Sequence, residues 1–231
     1  MVSWKKGLSR LVSGIMLVLV LIGIFSVPKQ ASVGCTSETK VSTNCVASYE
    51  NVTAHEGDLI IDGTQIYVIQ NCTYIQKGNI SLKDYGKLVV NNAVLKINQT
   101  RLWECNFRTS DYSSLELEDA LLASVFAIDF VFEGHSKVTF NRATLSMGEY
   151  FSRLFFRDSS TCDIQQCVFP GSHIFHLYDY SEGQFQNSSI GHVKTVASAH
   201  TKMSNSGIDI LSLCFSTESI VNADGLRAGL F

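Results

Sequence analysis

Arg108, Glu133 and Arg157 stand about one repeat apart in this sequence, each where a side chain would leave a strand for solvent. Lys83, His176 and Tyr178 hold related positions in neighbouring repeats. A guanidinium or ammonium in such a row can grip the carboxylates of an acidic polymer, or serve as the base of an elimination. Glu133 is the one acid on the row, so the paired carboxylates of a glycoside hydrolase are missing from it. A second row carries Glu116, Asp163 and Asp209. Glu116 and Asp163 lie two repeats apart, roughly 9–10 Å by strand spacing, near the wide end for inverting hydrolysis. Acids on a solvated strand face are ordinary, however. A column of Asp84, Asp111, Asp158 and Asp179 could hold calcium through stacked carboxylates, although aspartate is equally a preferred turn residue. Tyr85, Tyr112 and Tyr180 lie beside that column and offer rings to sugars. His173 and His176 are three apart, which places them on opposite faces of a strand. Nucleophile elbows, phosphate loops, dinucleotide fingerprints and zinc-protease pairs are absent. Arg108, Glu133 and Arg157 are therefore the catalytic candidates. Calcium is the one cofactor worth weighing.

These positions are defined by an internal repeat. Five segments align without gaps: residues 84–97 (DYGKLVVNNAVLKI), 111–124 (DYSSLELEDALLAS), 134–147 (GHSKVTFNRATLSM), 158–171 (DSSTCDIQQCVFPG) and 179–192 (DYSEGQFQNSSIGH). A weaker sixth is residues 204–217 (SNSGIDILSLCFST), and a degenerate earlier unit starts near Asp62. Apolar residues alternate in each unit, as in Leu88/Val90, Leu115/Leu117, Val138/Phe140, Cys162/Ile164, Gly183/Phe185 and Ile208/Ile210. A period of two puts them on one face of a strand. Polar pairs follow, such as Asn91-Asn92, Glu118-Asp119 and Asn141-Arg142, and these suit a tight corner. The next strand turns inward again at Ala93/Leu95, Ala120/Leu122, Ala143/Leu145 and Cys167/Phe169. Ahead of each unit lies a third inward pair: Ile80/Leu82, Phe107/Thr109, Phe130/Phe132, Leu154/Phe156 and Phe175/Leu177. Its offset from the unit is constant, so variation in repeat length sits in the connection after the last strand. Three short strands and their corners, repeated, describe the rungs of a solenoid that buries its core only by stacking. An antiparallel sandwich fits the alternation but not the constant offsets.

The pattern resembles the right-handed parallel β-helix family, the pectate-lyase-like solenoid of surface proteins and polysaccharide-acting enzymes. The phrasing NCTYIQKGNI at residues 71–80, leading to NAVLKINQT at 92–100, also resembles repeat-rich exported proteins of archaea. The resemblance implies an all-β solenoid of about six to seven rungs and leaves its activity open. In such enzymes the site lies on an outward strand face, which is the row of Arg108, Glu133 and Arg157.

Net charge of -3 and a pI of about 6.1 give no electrostatic case for nucleic acid. The N-terminus reads as an export signal: Lys5, Lys6 and Arg10 precede an apolar run over residues 11–27. Cleavage before Cys35 would release the chain; an uncleaved segment would anchor it in a membrane. Five acceptors for N-glycosylation, at Asn51, Asn71, Asn79, Asn98 and Asn187, agree with export. There are seven cysteines. Cys162, Cys167 and Cys214 read as small core residues, and a Cys35–Cys45 bridge is possible. The expected organisation is a signal or anchor helix at 1–34, a polar segment and possible cap at 35–56, the solenoid at 57–217, and a tail or cap at 218–231. The expected role is extracellular or cell-surface: structural, adhesive or glycan-binding, with polysaccharides, cell-surface glycans or other surface proteins as partners. A lyase or hydrolase of acidic polysaccharide, and a subunit of a fibre or larger β-helix, are the alternatives.

Overall fold

Alternating apolar residues bounded by left-handed corners can satisfy their backbone only by pairing with the next turn of chain, and that is how this chain folds. The computed structural model describes residues 52–148, 151–214, 220–224 and 227–228. The N-terminal segment with Asn51, Cys35 and Cys45 lies outside the described residues.

Strand β1 (Val52–Glu56) leads into a first rung of β2 (Leu59–Ile61), β3 (Ile66–Gln70) and β4 (Thr73–Lys77). The second rung is β5 (Ile80–Leu82), β6 (Lys87–Asn91) and β7 (Val94–Ile97). The third is β8 (Asn106–Thr109), β9 (Ser114–Glu118) and β10 (Leu121–Ser124). The fourth is β11 (Asp129–Phe132), β12 (Lys137–Asn141) and β13 (Thr144–Ser146). β14 (Ser152–Phe156), β15 (Thr161–Gln165) and the start of β16 (Val168–Leu177) make the fifth. β16 bends round the corner and continues into the sixth with β17 (Glu182–Gln186). β18 (Ser189–Val196), β19 (His200–Ser204) and β20 (Gly207–Cys214) carry the winding on in the same way. Finally, β21 (Ile220–Asp224) pairs with β19, and β22 (Arg227–Ala228) pairs with β20. The stretch read from sequence as a tail or cap contributes strands.

All of these pairings are parallel and join corresponding strands of successive rungs, so the chain is a parallel β-helix of about seven turns. Three faces result. β2, β5, β8, β11 and β14 form the first, β3, β6, β9, β12, β15, β17, β19 and β21 the second, and β1, β4, β7, β10 and β13 the third. The bent strands β16, β18 and β20 join the first face to the third.

The inward columns expected from sequence are buried: Leu82, Leu88, Val90, Leu95, Phe107, Phe130, Phe132, Phe140, Leu154, Phe156 and Phe175 are all 0% exposed. Rings stack up the axis, with Phe132 and Phe156 centroids 4.7 Å apart and Phe156 and Phe175 6.3 Å apart. Cys162 and Cys167 are buried reduced thiols within this core, and burial pushes both thiols up. The side chain of Cys214 is not among those described.

The corners explain the polar residues. Asn71, Asn92, Asp119, Arg142, Gln166, Asn187 and Asn205 all take left-handed backbone, φ 46° to 54°. Asn92 donates from Nδ2 to Asn71 Oδ1 at 2.9 Å, and Arg142 clasps Asp119 through Nε and Nη2 at 2.6 and 2.7 Å. At the other corner Asp84, Asp111, Asp158 and Asp179 are also left-handed, φ 55° to 58°. Their carboxylates accept N–H groups from the preceding rung: Asp84 from Gly63, Asp111 from Asp84, Asp158 from Gly134 and Asp179 from Asp158. Short polar side chains are the ones that tolerate this backbone and can also reach such an N–H.

The sixth repeat needs correction. The sequence aligned Ile208/Ile210 with Gly183/Phe185, but the partners of Gly183 and Phe185 are Thr201 and Met203. Ile210 is 52% exposed. The cause is a shortened rung: Ser188 N–H meets Ser206 Oγ across only 18 residues, against 27 between Asp84 and Asp111. β18 passes round its corner without a loop, and Ala197, φ 60°, replaces the aspartate turn. Asp209 consequently leaves the row of Glu116 and Asp163, and Lys202 occupies its place.

Candidate functional site

Every other residue of the first-face strands points to solvent, so the loops fix nothing about this surface except its margin. Three outward columns arise. One runs Asn106, Asp129, Arg153, Ile174 and His192. The middle one runs Ser81, Arg108, Val131, Phe155, His176 and Lys194. The strand ends add Glu133 and Arg157 beside Lys83 and Tyr178.

Arg108, Glu133 and Arg157 do come together. Glu133 lies between the two guanidiniums, 3.2 Å from Arg157 Nη1 and 3.9 Å from Arg108 Nε. That arrangement suits binding better than chemistry. Both arginines face a carboxylate, and a guanidinium gives up its proton only with difficulty. Among the described residues, no second acid pairs with Glu133 across the row. Asp129, the nearest carboxylate along the same strand, is clasped by Arg153 through Nε at 2.9 Å and Nη2 at 2.6 Å.

Aromatic rings run through these ion pairs. Phe155 stacks on His176 at 4.9 Å and 23°, and His176 lies parallel to Tyr178 at 5.9 Å and 1°. The Arg153 and Arg157 guanidiniums sit 5.3 and 5.4 Å from the Phe155 ring centre. Both contacts are in the range of cation–π attraction. His176 Nδ1 is 3.4 Å from the Tyr178 hydroxyl, and its buried Nε2 has no hydrogen-bond partner among the described residues. Burial, with Lys194, His192 and Arg153 nearby, pushes its pKa down to about 4. It is therefore a neutral ring near pH 7, a stacking surface rather than a base. Four cations (Arg108, Arg153, Arg157 and Lys194) meet two carboxylates on this patch. Lys83 stands exposed at its margin.

The remaining candidates are dispersed. Glu116 and Asp163 do keep the expected two-rung separation, but Glu116 pairs with Lys87 at 2.7 Å and Asp163 accepts from Gln165 at 3.2 Å. Tyr85, Tyr112 and His135 form an exposed stack, with centroids 5.4 and 5.0 Å apart. Their faces are turned to one another, which leaves mainly ring edges for a sugar. Tyr180 stands on the same corner beyond Ser159 and is 70% exposed. The aspartate column spends carboxylate oxygens on backbone N–H groups, and no trio of acid, histidine or cysteine side chains able to hold a metal occurs among the described residues. His173 faces the core and His176 solvent. Of the described glycosylation acceptors, Asn71, Asn98 and Asn187 are exposed. Asn79 is half-buried: it donates to Asp58 and accepts from the Asn106 N–H.

Sequence reasoning missed Asp129, Arg153 and Trp103. Arg153 lies 5.4 Å over the Trp103 ring, which comes from the β7–β8 connection. The inward offsets locate strand centres, whereas Asp129 and Arg153 sit at or next to strand starts, and Trp103 belongs to no column. The available signal was a tryptophan in the longest gap between units. No family model matches the chain, and searches of curated proteins and of solved structures return no match.

Proposed function

We propose that the chain is an exported, N-glycosylated surface β-helix that binds an acidic glycan along its first face without cutting it. The observation that carries this reading is the strip of Phe155, His176 and Tyr178 bordered by Arg153 and Arg157. The exposed margins of these rings give sugars an apolar surface, and guanidiniums match their carboxylates or sulfates. The carboxylates present are all clasped by arginine, so the patch offers charge complementarity but no free acid–base pair. Kinship with the pectate-lyase-like solenoids, and with exported archaeal repeat proteins, belongs to the same proposal and rests on the resemblance of the repeats. An adhesive role toward cell-surface glycans or other surface proteins follows from an extracellular location.

The test is retention and chain length together, on a panel of neutral and uronic-acid polysaccharides. Retention of acidic polymers at unchanged length supports the proposal. New unsaturated uronate absorbance or new reducing ends would instead assign a lyase or hydrolase, with Arg108, Glu133 and Arg157 as the first residues to replace. Absence of both signals, with size growing as concentration rises, would leave a fibre subunit.

A further inference from the structure

Trp103 is held in left-handed backbone, φ 54°, and is 50% exposed. Both are unfavourable for a bulky aromatic residue, and such outliers persist only where the surroundings impose them. Here the surroundings do. The connection of residues 98–105 is clamped by Gln99, 4% exposed, whose Nε2 donates to Ser124 Oγ, Phe126 O and Ala127 O at 3.1, 2.8 and 3.0 Å. Its Oε1 accepts the Cys105 N–H at 3.1 Å. Glu104 accepts from both the backbone and the hydroxyl of Thr100, and Trp103 N–H donates to Ala127 O. The indole itself contributes nothing to the core. Its polar neighbour is Arg153, which Asp129 pins in place and which lies between the rings of Trp103 and Phe155.

We propose that Trp103 is the platform of a saccharide subsite at the margin of the first face. One sugar ring packs its C–H face on the indole, and its anionic substituent meets the Arg153 guanidinium. This rests on the reading of the first face as a glycan surface and adds a place where one ring is fixed. It also accounts for the clamped loop, which holds an exposed ring in a strained backbone that packing does not require.

The experiment uses the full chain with Trp4→Phe, which leaves Trp103 as the sole indole of the two in the sequence. Titration is with a uronic-acid hexasaccharide and a neutral hexasaccharide, read by tryptophan emission and by calorimetry. The expected result is a saturable change in emission with the acidic probe alone. Trp103→Asn should then weaken binding at least tenfold at unchanged far-UV circular dichroism, because asparagine tolerates the left-handed backbone. Trp103→Phe should retain affinity within about threefold. Binding of the acidic probe that leaves emission unchanged and survives Trp103→Asn, yet is lost in Phe155→Ala, overturns the subsite and leaves the surface standing. Equal binding of the neutral probe overturns the role of Arg153. No binding of either probe overturns the subsite and the surface together.

Discussion

Phe155 and Phe156 are neighbours on β14 with opposite fates, and replacing each by alanine tests the inward and outward assignment of the whole face. Phe156 is 0% exposed and packed between Phe132 below and Phe175 above, at 4.7 and 6.3 Å. Truncating a buried phenylalanine costs ~3–5 kcal/mol, more where the site cannot collapse. Collapse is difficult here, because parallel hydrogen bonds hold the rungs at ~4.8 Å and the void is roofed by the next rung. We expect about 4 kcal/mol for Phe156→Ala. With a urea slope of ~2–3 kcal/mol per M, the unfolding midpoint should fall by about 1.3–2 M. Phe155→Ala leaves no internal void and should cost about 1 kcal/mol, mainly from partial burial and its ring contacts. Urea titrations followed by circular dichroism decide the matter. Similar losses for the two variants, or a loss under ~1 kcal/mol for Phe156→Ala, would refute the close packing of the stacked core.

Gly86→Ala should destabilise by at least ~2 kcal/mol, because overpacking against backbone cannot relax cheaply: its Cβ would lie 2.3 Å from Ile61 O and 2.8 Å from the Ile61 carbonyl carbon. Thermal melts against Gly57→Ala, where a Cβ meets nothing within 4 Å, separate this clash from backbone strain. Asp111→Ala removes the acceptor for the Asp84 N–H and a side chain that tolerates φ 58°, and should cost ~1–2 kcal/mol, whereas Asp111→Asn should cost little. For His176 the folded pKa of about 4 lies below the usual 6.5, so the unfolded chain binds more protons between those values. Its contribution is complete above about pH 6.5 and is lost as pH falls toward 4. His176→Phe should flatten that slope in urea midpoints measured across the window, with buried His173 retaining part of it; an unchanged slope would refute the assignment. Mass spectrometry after enzymatic deglycosylation should find glycan at exposed Asn98, and Asn79→Gln should lower stability through its lost bonds to Asp58 and Asn106.

The core of this fold was legible because its signal is purely local. Leu88/Val90 and Phe130/Phe132 alternate within one strand, and each column repeats at a constant offset. The corners were legible for a related reason: Asn92, Asp119 and Asn187 are residue types that left-handed backbone selects. Arg142 and Gln166 share that backbone without belonging to those types, and only their neighbours in the alignment reveal them. Register failed at residues 204–217 because the pattern Ile208/Ile210 imitates an inward pair, while the true partners Thr201 and Met203 carry a polar residue inside. The candidate site was half legible. The row of Arg108, Glu133 and Arg157 follows from alternation alone. The pairing of Asp129 with Arg153, and the approach of Trp103, depend on a connection whose length differs from rung to rung and on side chains reaching across rungs.

The separation between paired strands stays between 18 and 27 residues from one end of the described solenoid to the other. Loop-closure entropy rises only with the logarithm of length, so the easiest and hardest rungs differ by ~0.4 kcal/mol. No rung then waits on a distant part of the chain. The molecule can order itself vectorially, each new strand finding its partner once about one more rung of polypeptide has emerged, and lengthening the array adds steps without adding a slower one.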